Sequence, residues 1–152
     1  MILILNLLWL VCGGFVAALA WFFAAILFAL SIVGLPWARA AGNIAFFTLW
    51  PFGQTAMARD ELTGRGDLGT GPLGSLGNLL WLVLIGWWLA LAHLAAAVPL
   101  ALSIIGIPFA WQHLKLAGMA LWPIGMSIVP NGVAYAARRE NDWRSVMASR
   151  RY

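Results

Sequence analysis

The sequence predicts an all-α integral membrane protein built from two tandem helical hairpins, and three observations lead to this prediction. The 152-residue chain is 63% hydrophobic and only 9% charged, with a mean hydropathy of +0.90, which leaves too little polar surface for a soluble domain of this length. The charged residues are concentrated in two stretches, about 54–77 and 126–152. One apolar sequence lies before the first stretch, and a second copy of it lies between the two stretches.

The duplication is visible without gaps. Asn6–Gly53 aligns with Asn78–Gly125 at an offset of 72, and 24 of the 48 aligned residues are identical. "NLLWLV" recurs unchanged, "ALSIVGLP" returns as "ALSIIGIP", and "LWPFG" returns as "LWPIG". Composition alone would not bring Asn, Trp, Ser, Gly and Pro into register, so the chain is a tandem repeat.

Each repeat predicts a hairpin of two helices. The first apolar run, about 5–33, exceeds the roughly 20 residues that cross a bilayer. It also lacks a basic start and is longer than the apolar region of a signal peptide, so we expect it to be retained. A turn then precedes a second, shorter apolar segment that ends at a proline. The residues that mark these turns and stops are Gly34, Pro36, Pro51, Gly106, Pro108 and Pro123. The predicted organisation is a first hairpin at 4–53, a polar cytoplasmic loop at 54–77, a second hairpin at 78–125, and a basic cytoplasmic tail at 126–152.

The second segment of each hairpin leaves two interpretations open. It barely reaches spanning length and carries polar residues, namely Arg39 and Asn43 in the first copy and Gln112, His113 and Lys115 in the second. A short true span gives four transmembrane helices, and the alternative is a re-entrant or interfacial helix. Tryptophans near the ends of the segments favour a span.

The charge distribution predicts the orientation. The tail contains five arginines against two acidic residues, and an excess of Lys and Arg marks the cytoplasmic side. The tail also predicts a surface helix that binds anionic lipid, because Trp143, Val146 and Met147 lie at helical spacing among arginines. Lipid contact accounts for the basic character, so we do not expect nucleic-acid binding.

The apolar segments contain no arrangement typical of an enzyme. They hold no Asp or Glu, and the sequence carries no phosphate-binding glycine motif. The single cysteine, Cys12, has no partner for an internal disulfide. We therefore expect no catalytic activity, no cofactor and no metal.

The polar residues inside the apolar segments are the candidate functional positions. Arg39 and Lys115 are the only charged residues there, and Lys115 aligns with Asn43 in the repeat register. Charged groups in a membrane segment suggest a function, although both side chains are long enough to snorkel to phosphate groups. We interpret His93 as a packed neutral imidazole. His113 is expected on a polar face of the second segment, with Gln112 and Lys115. Asn6 and Asn78 are interpreted as helix caps or interfacial groups.

The repeated framework "NLLWLV…ALSIxGIP…LWPxG", together with "AARREN" at the start of the tail, resembles the YccF family of bacterial inner-membrane proteins. The resemblance implies two tandem inner-membrane component domains, each with two transmembrane segments, and a multi-pass location in the inner membrane. It implies no activity and no functional residues.

Two functions are compatible with this sequence. The first is a structural or accessory membrane subunit that packs through helix faces, either as a homo-oligomer or against another membrane protein. The alternative is an oligomeric channel or transport component that favours anions through Arg39 and Lys115.

Overall fold

The computed structural model describes residues 1–31 and 34–150, most of which are helical. The helices and strands follow the chain in this order: α1 Ile2–Trp9, α2 Phe15–Leu30, α3 Leu35–Leu49, β1 Gln54–Ala58, α4 Arg59–Thr63, α5 Pro72–Trp81, α6 Trp87–Ala101, α7 Ile107–Leu121, β2 Met126–Pro130 and α8 Asn131–Ser149. Short π-helical segments at Leu10–Gly14 and Leu82–Gly86 join α1 to α2 and α5 to α6.

Two segments of the described chain are long and apolar enough to cross a membrane. They are Ile2–Leu30, with 29 residues, and Pro72–Ala101, with 30 residues. The first begins earlier than the predicted run and ends at Leu30; Ile32 and Val33 of that run lie outside the described residues. α3 and α7 contain 15 residues each, which corresponds to about 22 Å of helix, shorter than the roughly 30 Å hydrocarbon core. Four transmembrane helices are therefore not confirmed.

The prediction of an all-α chain is wrong in one respect, because the structure contains a two-stranded antiparallel sheet. β1 lies in the stretch predicted as a polar loop, and β2 lies at the start of the predicted tail. Gln54 pairs with Pro130, Ala56 with Ile128, and Ala58 with Met126. The sheet joins the two repeats, since each strand directly follows the second helix of its own hairpin.

The repeats are related by a pseudo-two-fold axis. The central strand pair, Ala56 and Ile128, consists of residues that are equivalent in the repeat register. The amide of Arg59 donates to Gly125 O at 2.8 Å, and the amide of the equivalent Asn131 donates to Gly53 O at 3.0 Å. Exchanging the repeats converts one bond into the other, which is the property of an isologous interface.

The helices of the two hairpins lie on one face of the sheet. Ala56 and Ile128 pack against the hydrophobic core, and strand alternation directs Met57 to the opposite face, where it is buried. α4 and α8 contact the strands and each other. The molecule therefore has a polar layer of α4 and α8, a small sheet, and an apolar layer that contains the two hairpins.

α3 runs lengthwise across the sheet. The Asn43 amide reaches Met126 O, at one end of the sheet, while the chain leaves α3 and enters β1 at Gln54, at the other end. α7 runs in the opposite direction by the pseudo-symmetry. The start of α3 consequently lies beside α5, where Trp37 Nε1 donates to Gly77 O at 3.2 Å.

A tryptophan fastens each long segment to the end of its own second helix. Trp9 Nε1 donates to Thr48 O, and the equivalent Trp81 Nε1 donates to Ala120 O, both at 2.7 Å. Both indoles are buried beside a glycine, Gly14 in the first repeat and Gly86 in the second. This close approach is available only to glycine, because a Cβ at Gly14 would overlap the Trp9 ring.

The repeated "LWPxG" ending turns the chain from helix into strand. Pro51 and Pro123 are buried directly after α3 and α7. Gly53 and Gly125 then adopt φ values of 87° and 91°, a region that side chains with a Cβ seldom occupy. At the opposite end of the second helices, Gly34 and Gly106 precede α3 and α7, and Pro36 and Pro108 lie in the first turns of those helices.

Candidate functional site

The polar residues of the apolar layer meet where the two hairpins cross beneath the sheet. Lys115 Nζ donates to Gln54 O at 2.8 Å and to Pro51 O at 3.1 Å. Its repeat counterpart Asn43 donates through Nδ2 to Met126 O at 3.1 Å. Met126 is itself the counterpart of Gln54, so the two side chains make equivalent bonds from each repeat to the other.

The ammonium of Lys115 therefore bonds the second repeat to the backbone of the first. Besides its two carbonyl partners, Nζ lies 5.1 Å from the centroid of the Phe47 ring, within the range of a cation–π contact. These contacts replace the water that a lysine loses in an apolar layer. They explain how a charged residue is accommodated in α7 without snorkelling to a phosphate group.

Arg39 lies elsewhere. It is exposed near the start of α3 and lines an open cavity of about 520 Å³, to which Lys115 does not contribute. The cavity lies between α3, the first turns of α5 and the Pro123–Gly125 turn. The structure therefore does not bring the two predicted cations to one site.

Arg59 and Asp67 form an ion pair beside this cavity. Arg59 Nη2 donates to Asp67 Oδ1 at 2.9 Å, and Nε donates to the second carboxylate oxygen. This two-point geometry favours the charged forms of both groups. The hydrogen bond from Arg59 is the main cause that holds the pKa of Asp67 well below its usual range, and amides of Gly69 and Thr70 act in the same direction.

His93 and His113 face each other across α6 and α7. Their Nδ1 atoms are 3.1 Å apart, so one ring donates a proton and the other accepts it. His113 also packs on the Trp9 indole, with ring centroids 5.1 Å apart. The expectation that His93 is a packed imidazole did not include this partner, because sequence alone does not specify which helix faces contact each other.

Asn6 and Asn78 are not helix caps, which corrects the sequence interpretation. Both side chains are fully buried. Asn78 Nδ2 donates to Ile124 O, and Ile124 N donates back to Asn78 Oδ1, both at 2.9 Å. Asn6 forms the same pair with Phe52, at 3.1 and 3.0 Å. Each amide therefore satisfies the backbone in the extended turn after the second helix. The exact recurrence of Asn in "NLLWLV" is the sequence signal that could have revealed this role.

The assembled polar residues bind the backbone. Lys115, Asn43, Asn6 and Asn78 each bind backbone carbonyls. Among residues 1–31 and 34–150, no group of three or more His, Cys, Asp or Glu side chains is placed to hold a metal ion. Cys12 is exposed.

Comparison with known proteins gives a family. The YccF model, described as an inner membrane component domain, matches residues 4–54 and again residues 76–126. The chain is 40% identical to inner membrane protein YccF of Escherichia coli (strain K12) over 141 residues, which cover 91% of this chain and 94% of that protein. The protein of the same name from Shigella flexneri matches to the same extent. No solved structure matches. The two domain matches coincide with the two halves of the pseudo-symmetric fold, and the chain belongs to the YccF family of inner membrane component domains.

Proposed function

We propose that this protein is a structural or accessory subunit of the bacterial inner membrane that acts through its helix surfaces. The observation that carries the proposal is that polar side chains of the apolar layer hydrogen-bond to the backbone of the protein itself. Lys115 and Asn43 bond the two repeats together, and Asn6 and Asn78 hold the ends of the hairpins. These four polar side chains are thus engaged in maintaining the fold, whereas Arg39 lies elsewhere.

The outer surface of the apolar layer is the surface available for partners. Large apolar side chains are exposed along both long segments, and those on α2 and α6 include Phe23, Leu30, Trp88, Leu91 and Val98. A surface of this composition suits lipid tails or the helices of another membrane protein. The exposure on α6 is the best place to test for a protein partner, because α6 carries the large indole of Trp88 at 61% exposure.

Site-specific photocrosslinking in cells tests this proposal. A photoreactive residue at Trp88 or Leu91 should give a discrete adduct with a different protein, and the same residue at Leu68 should not. Leu68 is a matched control because it is 81% exposed but lies in the polar loop. Adducts with lipid or with another copy of this chain alone would contradict an accessory role toward a heterologous partner.

The proposed orientation has the polar layer in the cytoplasm and the hairpins in the bilayer. The arginine excess of the tail supports it, and a reporter fused after Tyr152 should be active in the cytoplasm. For α3 and α7 we favour the re-entrant alternative. Their 15-residue length and the lengthwise path of α3 across the sheet support it.

Cysteine labelling separates the two arrangements. In a Cys12→Ala background, Ser103→Cys marks the turn before α7. A membrane-impermeant maleimide added to the periplasmic side should leave this cysteine unlabelled if the hairpin is re-entrant. Labelling would instead support a multi-pass arrangement with four spans.

The channel alternative has less support. It requires cationic side chains directed toward a permeation path, whereas Lys115 Nζ is bonded to two carbonyls. Chloride or phosphate flux through liposomes containing the wild-type protein, abolished by both Arg39→Gln and Lys115→Gln, would favour the channel and count against the accessory role.

A further inference from the structure

We propose that the cavity beside Arg39 binds one anionic phospholipid, with the headgroup phosphate on Arg39 and an acyl chain along the apolar wall. This inference rests on the proposed membrane location but concerns a defined site, distinct from the lipid contact expected for the tail. The residues that line the cavity combine two chemistries. Arg39, Asn43, Arg59 and Asp67 are polar, and Trp37 and Leu73 represent the apolar part.

The position of the cavity matches the boundary of a bilayer. Arg59 begins α4 in the polar layer, and its partner Asp67 lies in the loop after α4. Trp37, in contrast, lies in the first turn of α3, within the apolar layer. The part of a ligand that occupies this open cavity of about 520 Å³ contacts polar groups at one end and apolar side chains at the other, so an amphipathic ligand fits it. A phospholipid has this character, and a free anion does not.

The charge of the cavity selects an anionic headgroup. The Asp67 carboxylate is neutralised by Arg59, through the two hydrogen bonds described above. Arg39 is exposed, and the structure gives it no hydrogen-bond or ion-pair partner within residues 1–31 and 34–150. The net charge of the lining is therefore positive, with one guanidinium available for a phosphate in a two-point contact.

The pseudo-symmetry provides an internal comparison. The counterparts of Arg39 and Arg59 in the other repeat are Trp111 and Asn131. The equivalent crossing on the other side of the axis therefore lacks both guanidinium groups. Since the backbone framework is shared, the two guanidinium groups are a local addition to one side of the axis.

Native mass spectrometry of the detergent-solubilised protein tests the site. The protein is incubated separately with phosphatidylglycerol, phosphatidylcholine and inorganic phosphate. We expect retention of one phosphatidylglycerol in preference to phosphatidylcholine, and no retention of inorganic phosphate. Arg39→Gln should reduce the preference about fivefold, the effect of losing one basic contact at a lipid surface. Arg65→Gln, in the polar loop, should leave it unchanged.

A second measurement locates the acyl chain. Phosphatidylglycerol with brominated acyl chains should quench the fluorescence of Trp37, so Trp37→Phe should lower the quenched fraction. Equal retention of the two lipids, or a preference that survives Arg39→Gln, would overturn the proposal. Retention of inorganic phosphate as strongly as of phosphatidylglycerol would also overturn it, by indicating a simple anion site. These results concern the purified protein, so they can fail while the crosslinking test of the accessory role succeeds.

Discussion

Replacing Asn78 with leucine tests the role of the buried amides. Leucine has the same branching and the same number of side-chain heavy atoms, so the substitution removes the two hydrogen bonds to Ile124 and replaces them with methyl contacts. The backbone N–H and C=O of Ile124 then lose their side-chain partner in a buried position. A buried group left unsatisfied costs about 1–3 kcal/mol. With two such groups, and with some compensation from the added apolar surface, we expect a loss of about 2–4 kcal/mol in the free energy of unfolding.

The assay is equilibrium unfolding in mixed micelles of mild detergent and dodecyl sulfate, followed by tryptophan fluorescence. Asn6→Leu should give a similar loss because Asn6 makes the equivalent pair of bonds to Phe52. Asn131→Leu is the control. This asparagine is exposed at the start of α8, so the change should remain within about 0.5 kcal/mol. If the free energy of unfolding of Asn78→Leu also lies within about 0.5 kcal/mol of the wild-type value, the bonds between Asn78 and Ile124 do not stabilise the hairpin and the reasoning is refuted.

Three further predictions concern the contact between repeats, the tryptophan–glycine packing and the surface ion pair. Lys115→Met should lower the free energy of unfolding by about 1–3 kcal/mol in the same assay, because the carbonyls of Pro51 and Gln54 lose a charged donor. An unchanged free energy of unfolding would contradict the role given to Nζ. Gly14→Ala should destabilise the protein by about 1–3 kcal/mol, since the added Cβ would overlap the Trp9 ring. In the middle of α3, a Cβ at Gly42 meets no atom within 4 Å, so Gly42→Ala should stabilise the protein by up to about 1 kcal/mol. Equal effects of the two substitutions would argue against the packing described. Because the pKa of Asp67 is lowered in the folded protein, its contribution to stability is present above its ordinary pKa of 3.8. This contribution is lost as the pH falls below that value. The difference in unfolding free energy between the wild type and Asp67→Asn should therefore be constant from pH 8 to about pH 5 and shrink in more acidic buffer; a difference that disappears near neutral pH would exclude this ion pair as its source.

The repeat and the two long segments were predictable because they depend on local sequence. Identity at a fixed offset and uninterrupted apolar runs are read directly from the chain. The sheet was not predicted, since "QTAMA" and "MSIVP" are short and each is stabilised by pairing with a strand 72 residues away. Neither stretch has the length or the turn signals of an isolated hairpin.

The candidate residues illustrate the same limit. The alignment correctly made Asn43 the counterpart of Lys115, yet their partners lie in the opposite repeat and depend on how the hairpins cross. An intramembrane lysine accordingly suggested an anion path. Asn6 and Asn78 were interpreted as helix caps or interfacial groups because asparagine commonly occupies helix starts. The neighbouring sequence does not specify a bond to a turn 46 residues away.

The pseudo-two-fold axis has a consequence for what the chain can do that two separate copies could not. In a homodimer of one such hairpin, every residue at the crossing would occur on both sides, so an arginine added at one side would be added at the other. Joining the copies by the polar linker removes that constraint. One repeat carries Arg39 where the other carries Trp111, and a lysine replaces an asparagine on one side only. The covalent link thus allows a symmetric framework to present two chemically different flanks to the bilayer.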